Sequence, residues 1–242
     1  MSDIEELQKL IDESQNIVFF GGAGVSTESG IPDFRSVDGL YNQQFDYPPE
    51  TILSHGFFMR HTEDFYKFYQ TKMMYSGIAP NSAHVKLAEL EAAGKLSAVI
   101  TQNIDGLHQL AGSKNVLELH GSMLRNYCMS CGKFYAIDAM RGPGVPRCDC
   151  GGVIKPDVVL YEEALDSDTV ERAVSVLRKA DLVIVGGTSL TVYPAAGLLN
   201  YFHGKIVLIN RDATQLDNAA QLVLRAPIGE ALGQLQVGGL SR

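Results

Sequence analysis

Apolar side chains at Ile4, Leu7, Leu10 and Ile11 recur at the spacing of one helical face and predict a packing helix over 3–13, with Ser2 or Asp3 as its cap. A short run, Ile17-Val18-Phe19-Phe20, bounded by glycine, predicts a buried parallel strand. Similar runs return at Ser97-Ala98-Val99-Ile100, Val116-Leu117-Glu118-Leu119, Asp181-Leu182-Val183-Ile184-Val185, Lys205-Ile206-Val207-Leu208-Ile209 and Leu222-Val223-Leu224. Helical periodicity separates them. One helix follows Pro80-Asn81-Ser82, with Asn81 as N-cap and Val85, Leu87 and Leu90 inward, and ends near Gly94. A second, over 168–179, turns Val170, Val174 and Leu177 inward, and a last one starts at Ile228. Strands and helices alternating across short turns predict an α/β fold with a parallel sheet covered on both faces.

Two stretches break that rhythm. Between Gly39 and Ala79 there is no strand signal but a dense set of aromatics: Tyr41, Phe45, Tyr47, Phe57, Phe58, Phe65, Tyr66, Phe68, Tyr69 and Tyr75. Short helical patterns around the Pro48-Pro49 break predict a small helical module with these rings as its core, and His55 and His61 as structural or surface residues. The second stretch carries Cys128-Met129-Ser130-Cys131, then 16 residues, then Cys148-Asp149-Cys150. Two close thiolate pairs are the pattern of a closed tetrahedral zinc site, which leaves no open position for water and is therefore structural. A nucleic-acid-binding zinc ribbon and a redox Cys-x-x-Cys are the rival readings. Pro156 to Glu163 then reads as a strand-like run returning to the core. The domain map is 1–40, 80–122 and 156–242 for the sheet, with the helical module at 41–79 and the zinc module at 123–155 inserted.

Composition narrows the class. A net charge of −8 over 242 residues, without a long Lys/Arg cluster, argues against nucleic acid. The acidic start, Met-Ser-Asp-Ile-Glu-Glu, lacks the layout of a secretory signal, and no apolar run approaches the ~20 residues of a membrane helix. A cytoplasmic protein without membrane contact is expected, in which cysteines serve metals rather than disulfides.

The chemistry gathers where strands end. After the first strand comes Gly21-Gly22-Ala23-Gly24, whose glycines let the backbone turn sharply and approach a ligand. A helix starting there would aim its N–H groups at a phosphate, although Thr27 stands where a third glycine would complete the dinucleotide fingerprint, and a plain tight turn is the alternative. The second strand runs into Thr101-Gln102-Asn103-Ile104-Asp105, a cluster placed where doubly wound sheets hold ligands, or else an Asx-turn capping the next helix. The third delivers His120, whose imidazole titrates near neutrality and suits general base work. Gly186-Gly187-Thr188-Ser189 repeats the glycine turn, and Asn210 ends a further strand within reach of a ribose hydroxyl. His84 and His108 read as structural or packing residues.

The run from Gly22 to Arg35, Gly-Ala-Gly-Val-Ser-Thr-Glu-Ser-Gly-Ile-Pro-Asp-Phe-Arg, matches the signature of the sirtuins, the NAD-dependent protein-lysine deacylases. Thr-Gln-Asn-Ile-Asp at 101–105, Leu-His-Gly at 119–121, the four cysteines and Gly-Thr-Ser-Leu-x-Val-x-Pro at 187–194 match the same family, and the likeness spans 15 to 230. The chain is thereby identified as resembling sirtuins of bacterial type. The resemblance implies a Rossmann-like doubly wound sheet, NAD and structural zinc held by Cys128, Cys131, Cys148 and Cys150. It implies acetyl transfer from lysine side chains of protein substrates to ADP-ribose, with release of nicotinamide and O-acetyl-ADP-ribose. A monomer is expected.

By the same resemblance His120 is the base, Asn103 orders the ribose-side water and Asp105 meets the nicotinamide amide, with Ile104 lining that pocket. Gly22, Ala23, Gly24, Thr27, Asp33, Arg35, Gln102, Gly187, Thr188, Ser189, Asn210 and Ile228 hold the rest of the dinucleotide, and Phe34 shields the reactive carbon from water. Val159, Leu160, Tyr161 and Val192 meet the peptide, the segment around Leu160 by strand-type pairing. Here Tyr161-Glu162 stands where the family carries Phe-Gly, adding bulk and negative charge beside the peptide. Sirtuins that prefer succinyl or malonyl groups carry Tyr-x-x-Arg in the helical module. This chain has Tyr66 followed by Tyr69, and Tyr69 by Lys72, so acetyl is the expected acyl group. ADP-ribosyl transfer to protein, and nucleotide sensing without turnover, are the rival functions.

Overall fold

The computed structural model describes residues 2–34, 39–40 and 47–238. In chain order the first elements are α1 (Asp3–Glu13), β1 (Ile17–Gly21), α2 (Pro49–Ile52), α3 (His55–Arg60), α4 (Thr62–Lys72) and α5 (Ser82–Ala92). Then come β2 (Leu96–Thr101), α6 (Leu107–Leu110), β3 (Val116–Glu118), β4 (Gly121–Cys128), β5 (Phe134–Ala136) and β6 (Ile154–Val158). The chain closes with α7 (Ser167–Lys179), β7 (Leu182–Gly186), β8 (Lys205–Ile209), β9 (Leu222–Leu224) and α8 (Ile228–Gly233). α1 begins as its sequence requires: Ser2 accepts from the Glu5 N–H while the Glu5 carboxylate accepts from the Ser2 N–H, a reciprocal capping box.

Six strands form one parallel sheet in the order β3-β2-β1-β7-β8-β9. Counting only these strands along the chain, that is the Rossmann order 3-2-1-4-5-6, and its direction reverses between β1 and β7. Every residue of β1 and β7 is buried, because helices cover both faces of a parallel sheet. On one face Leu7, Leu87, Leu90, Ala231 and Leu232 of α1, α5 and α8 pack over Phe19, Val99 and Ile184. On the other, Ala173 and Leu177 of α7, with Leu198 and Phe202, pack over Phe20, Ile100 and Val185. Among the described residues no helix is long and apolar enough to cross a membrane.

A third apolar core joins α2, α3 and α4 to a small antiparallel sheet, β5-β4-β6, through Phe57, Phe58, Phe65, Tyr66, Tyr69, Met123, Met140, Ile154 and Val158. Most of the aromatics of the helical stretch do fill this core, whereas Tyr41 and Phe45 lie outside the described residues.

Two expectations need correction. The run from Pro156 begins inside β6, which pairs antiparallel with β4 and not with the parallel sheet. Val85 points outward at 43% exposure, and Ala83 and His84 take its place inside, because α5 lies between α8 and α6 and presents two faces to protein. On α7 the expected line holds: Val170 and Val174, half-buried, pack against the same core as Leu177, and Ala173 joins them.

Candidate active site

The carboxyl ends of β1 and β7 lie side by side at the point where the strand order reverses, which is where doubly wound sheets bind ligands. The loops beyond them touch. Gly24 N–H donates to the Gly187 carbonyl at 2.8 Å, and a methyl group on Gly24 would lie 2.8 Å from Gly187 Cα. Gly187 itself adopts φ 59°, where its own Cβ would lie 2.3 Å from Val25 N. Both positions need glycine because two loop backbones pass without room for a side chain.

A cleft of about 380 Å³ opens above these loops. Gly22, Ala23, Gly24, Thr27, Asp33, Phe34, Gln102, Asn103, Ile104, Asp105, His120, Val159, Leu160, Tyr161, Gly187, Thr188, Ser189, Val192, Asn210 and Ile228 all line it. Arg35 lies outside the described residues.

His120 sits two residues beyond β3, and its Nδ1 lies 3.0 Å from the Gln102 carbonyl. A carbonyl only accepts, so Nδ1 carries the proton and Nε2 keeps its lone pair. Burial pushes the imidazole below its ordinary value, and the Gln102 contact pulls weakly the other way. The neutral, basic form is therefore favoured at neutral pH. The His120 carbonyl accepts from Val159 N–H at 3.0 Å, tying the base to the segment after β6.

The cluster after β2 is both an Asx-turn and part of the site. Asp105 Oδ1 accepts from Leu107 N–H at the start of α6, and its Oδ2 accepts from Ser26 Oγ at 2.7 Å. Asn103 Nδ2 donates to the same Ser26 oxygen at 3.1 Å. Thr188 N–H donates to Asn210 Oδ1, Asn210 Nδ2 returns a bond to the Thr188 carbonyl, and Gln102 Nε2 donates to Thr188 Oγ1. Strand ends far apart in sequence are locked together by side chains that still face the cleft. This wall of backbone turns, amides and hydroxyls fits a dinucleotide.

Sequence reasoning missed Ser26, which nothing in the spacing of apolar and polar positions distinguishes from an ordinary turn serine. It also missed Glu163, whose carboxylate accepts from Leu160 N–H and pairs with Lys155 Nζ at 3.1 Å and His55 Nδ1 at 2.9 Å. Tyr69, Met73 and Tyr75 line the cleft from the helical side, and the Tyr69 hydroxyl is buried without a partner among the described residues.

The four cysteines come together at the open end of the small sheet. Cys128 Sγ lies 3.5 Å from Cys150 Sγ and Cys131 Sγ 3.6 Å from Cys148 Sγ, with all four sulfurs within 4.8 Å of one another. Tetrahedral zinc with ~2.3 Å bonds needs sulfurs roughly 3.8 Å apart. The set fits, and it is too long for disulfides, whose S–S bond is about 2.05 Å. None of the four lines the cleft, so the ion has no access to the reacting atoms.

Fold and cleft together define a dinucleotide-binding α/β enzyme with a four-cysteine zinc module. A model described as "Sir2 family" matches residues 22–194. A protein of Clostridium acetobutylicum named "NAD-dependent protein deacetylase" is 58% identical over 96% of this chain and 97% of its own. One of Staphylococcus aureus with the same name is 44% identical over 92% and 93%. Among solved structures, a Sir2 homolog–NAD complex superposes with a TM-score of 0.86 at 42% identity, over 95% of this chain and 91% of that one. A Sir2–p53 peptide–NAD+ complex gives a TM-score of 0.85 at 40% identity, over 96% of both chains. The chain belongs to the Sir2 family.

Proposed function

We infer that this chain is an NAD-dependent protein deacetylase, moving the acetyl group of acetyl-lysine to ADP-ribose with release of nicotinamide and O-acetyl-ADP-ribose. The observation that carries the reading is the tautomer of His120, a half-buried imidazole that lines the cleft with Nδ1 pinned to the Gln102 carbonyl and Nε2 left with its lone pair. When bound, NAD supplies an electrophilic ribose carbon and a leaving group that needs no metal.

His120 Nε2 takes the proton of a ribose hydroxyl and so raises its nucleophilicity toward the acyl carbon. Asn103 and Asp105, held by Ser26, orient water and the carboxamide of the leaving group, with Ile104 against its ring. The turns at Gly22–Gly24 and Gly187, together with Thr27, Asp33, Arg35, Gln102, Thr188, Ser189, Asn210 and Ile228, hold phosphates and riboses. Phe34 excludes water. Val159, Leu160, Tyr161 and Val192 hold the substrate's backbone and acetyl-lysine stem. Cys128, Cys131, Cys148 and Cys150 bind zinc, which fixes the small sheet and takes no part in the chemistry. On this reading the modules at 41–79 and 123–155 interrupt one NAD-binding domain, and the enzyme is a cytoplasmic monomer.

The test is incubation with an acetyl-lysine peptide, with and without NAD. Nicotinamide and deacetylated peptide are expected to accumulate one for one, only with NAD. Radiolabel from NAD appearing on acceptor protein instead would establish ADP-ribosyl transfer.

A further inference from the structure

Glu162 stands at the rim of the cleft in a conformation that favours glycine. Its φ is 75°, the left-handed region, which a residue with a Cβ adopts only under strain relative to glycine. One carboxylate oxygen, Oε2, accepts from Gly56 N–H at 2.8 Å, which latches the side chain to the start of α3. No partner of Oε1 occurs among the described residues, and the residue is exposed and lines the cleft.

The neighbouring charges make this carboxylate distinct. Glu163 is paired with Lys155 Nζ and its other oxygen lies 2.9 Å from His55 Nδ1. Arg60 approaches Gly56 from the same side as Glu162, within 3.1 Å of where a Gly56 Cβ would lie, but among the described residues it forms no ion pair with Glu162. Asp33 lies 4.0 Å from Arg211, on the other loop.

The backbone around it is equally telling. The N–H groups of Val159, Leu160 and Tyr161 are engaged by the His120 carbonyl, Glu163 Oε2 and the Leu53 carbonyl, and the Tyr161 carbonyl accepts from His55 N–H. The Glu162 N–H has no partner among the described residues. An extended peptide that pairs with this edge meets its open backbone at the residue that also carries the free charge.

We propose that Glu162 is a charge selector: its free oxygen favours acetylated peptides with lysine or arginine within two residues of the acetyl-lysine over peptides with aspartate or glutamate there. The inference rests on the protein-deacetylase reading and names its substrate class. A carboxylate latched by one oxygen presents the other at a set place, so less side-chain entropy is lost when a cation arrives.

The experiment uses the full chain and one neutral acetyl-lysine peptide, with arginine and aspartate versions at each of the two positions on either side. Affinity is read by calorimetry and kcat/KM by nicotinamide release. In the native protein the best arginine peptide is expected to beat its aspartate twin about two- to fivefold at low salt, as for a partly exposed ion pair. The advantage should shrink at about 1 M salt, where the screening length is about 3 Å.

E162Q keeps an oxygen for Gly56 N–H and removes the charge, so the arginine-to-aspartate ratio should fall to about 1, the value without a local charge pair. A ratio that E162Q leaves unchanged, or a native preference for aspartate, overturns the proposal. An intact affinity order without nicotinamide release would sustain the charge selector and remove the deacetylase reading instead.

Discussion

Ser26 Oγ donates to Asp105 Oδ2 at 2.7 Å across 79 positions of sequence. That bond, with the one Ser26 accepts from Asn103, makes the glycine loop after β1 and the polar cluster after β2 one unit. Ser26 is 1% exposed, so the carboxylate is held by a hydroxyl that water does not compete for.

Ser26→Ala should therefore cost catalysis more than folding. Asp105 keeps its bond to Leu107 N–H, so α6 stays capped. A lost hydrogen bond to a carboxylate is worth about 1.5–3 kcal/mol, roughly ten- to a hundredfold in kcat/KM for NAD. Steady-state kinetics beside a melting curve separate the two effects, and unchanged kinetics would show that Ser26 does not hold the cluster.

For His120 the pH profile carries the information. Burial lowers its pKa, and only the unprotonated ring works as a base. Activity should persist as the pH falls below about 6.5, the ordinary imidazole value, and fail at lower pH still. An acid limb above neutrality would contradict the assignment. Replacing His120 by alanine should lower kcat about 10²- to 10⁴-fold while calorimetry still detects peptide binding.

Zinc should be structural. Metal analysis is expected to find one ion per chain, and Cys148→Ser should lose it together with the near-ultraviolet signal of the small sheet. Tyr135 Oη already donates to Cys148 Sγ, so the ligand is built into the packing of that sheet. A variant that kept both metal and fold would rule out a four-sulfur site.

Acid should loosen the sheet's edge through a histidine pair. His84 and His108 are buried with ring centroids 4.7 Å apart, and among the described residues three of their four nitrogens have no partner. Burial lowers His84 to about 4 and His108 to about 3, the latter also through His84. Unfolded, each ring titrates near 6.5, so below that pH the unfolded chain binds more protons. Stability is thus full above about pH 6.5 and falls steadily toward pH 4. Calorimetry across that window should show a falling Tm, and His108→Leu should flatten the fall.

Acyl choice follows from the wall formed by Tyr69, Met73 and Tyr75. Two phenols and a thioether offer no cation for an acyl carboxylate, and burial, which raises Tyr75 to about 12, keeps its hydroxyl protonated. Leaving a carboxylate unpaired there costs several kcal/mol, and kcat/KM for a succinyl-lysine peptide should trail its acetyl twin by roughly a hundredfold or more. A succinyl preference would refute this reading.

The amino-acid sequence by itself determined the parallel sheet, its strand tips and the residues that those tips bring to the cleft. Buried parallel strands are continuous apolar runs, and the residues that end them are set one by one along the chain. The positions of His120, Asn103, Asp105 and both glycine turns at strand ends were legible for that reason, and the four cysteines from the spacing of their two pairs. Tertiary structure alone decided what depends on partners distant in sequence. Val85 faces out and His84 in because α6 and α8 flank α5. The strand beginning at Ile154 joins the small sheet because β4 is there to pair with it. Ser26 matters because Asp105 arrives beside it. Periodicity records how much of each side chain is buried, and it is blind to which surface does the burying.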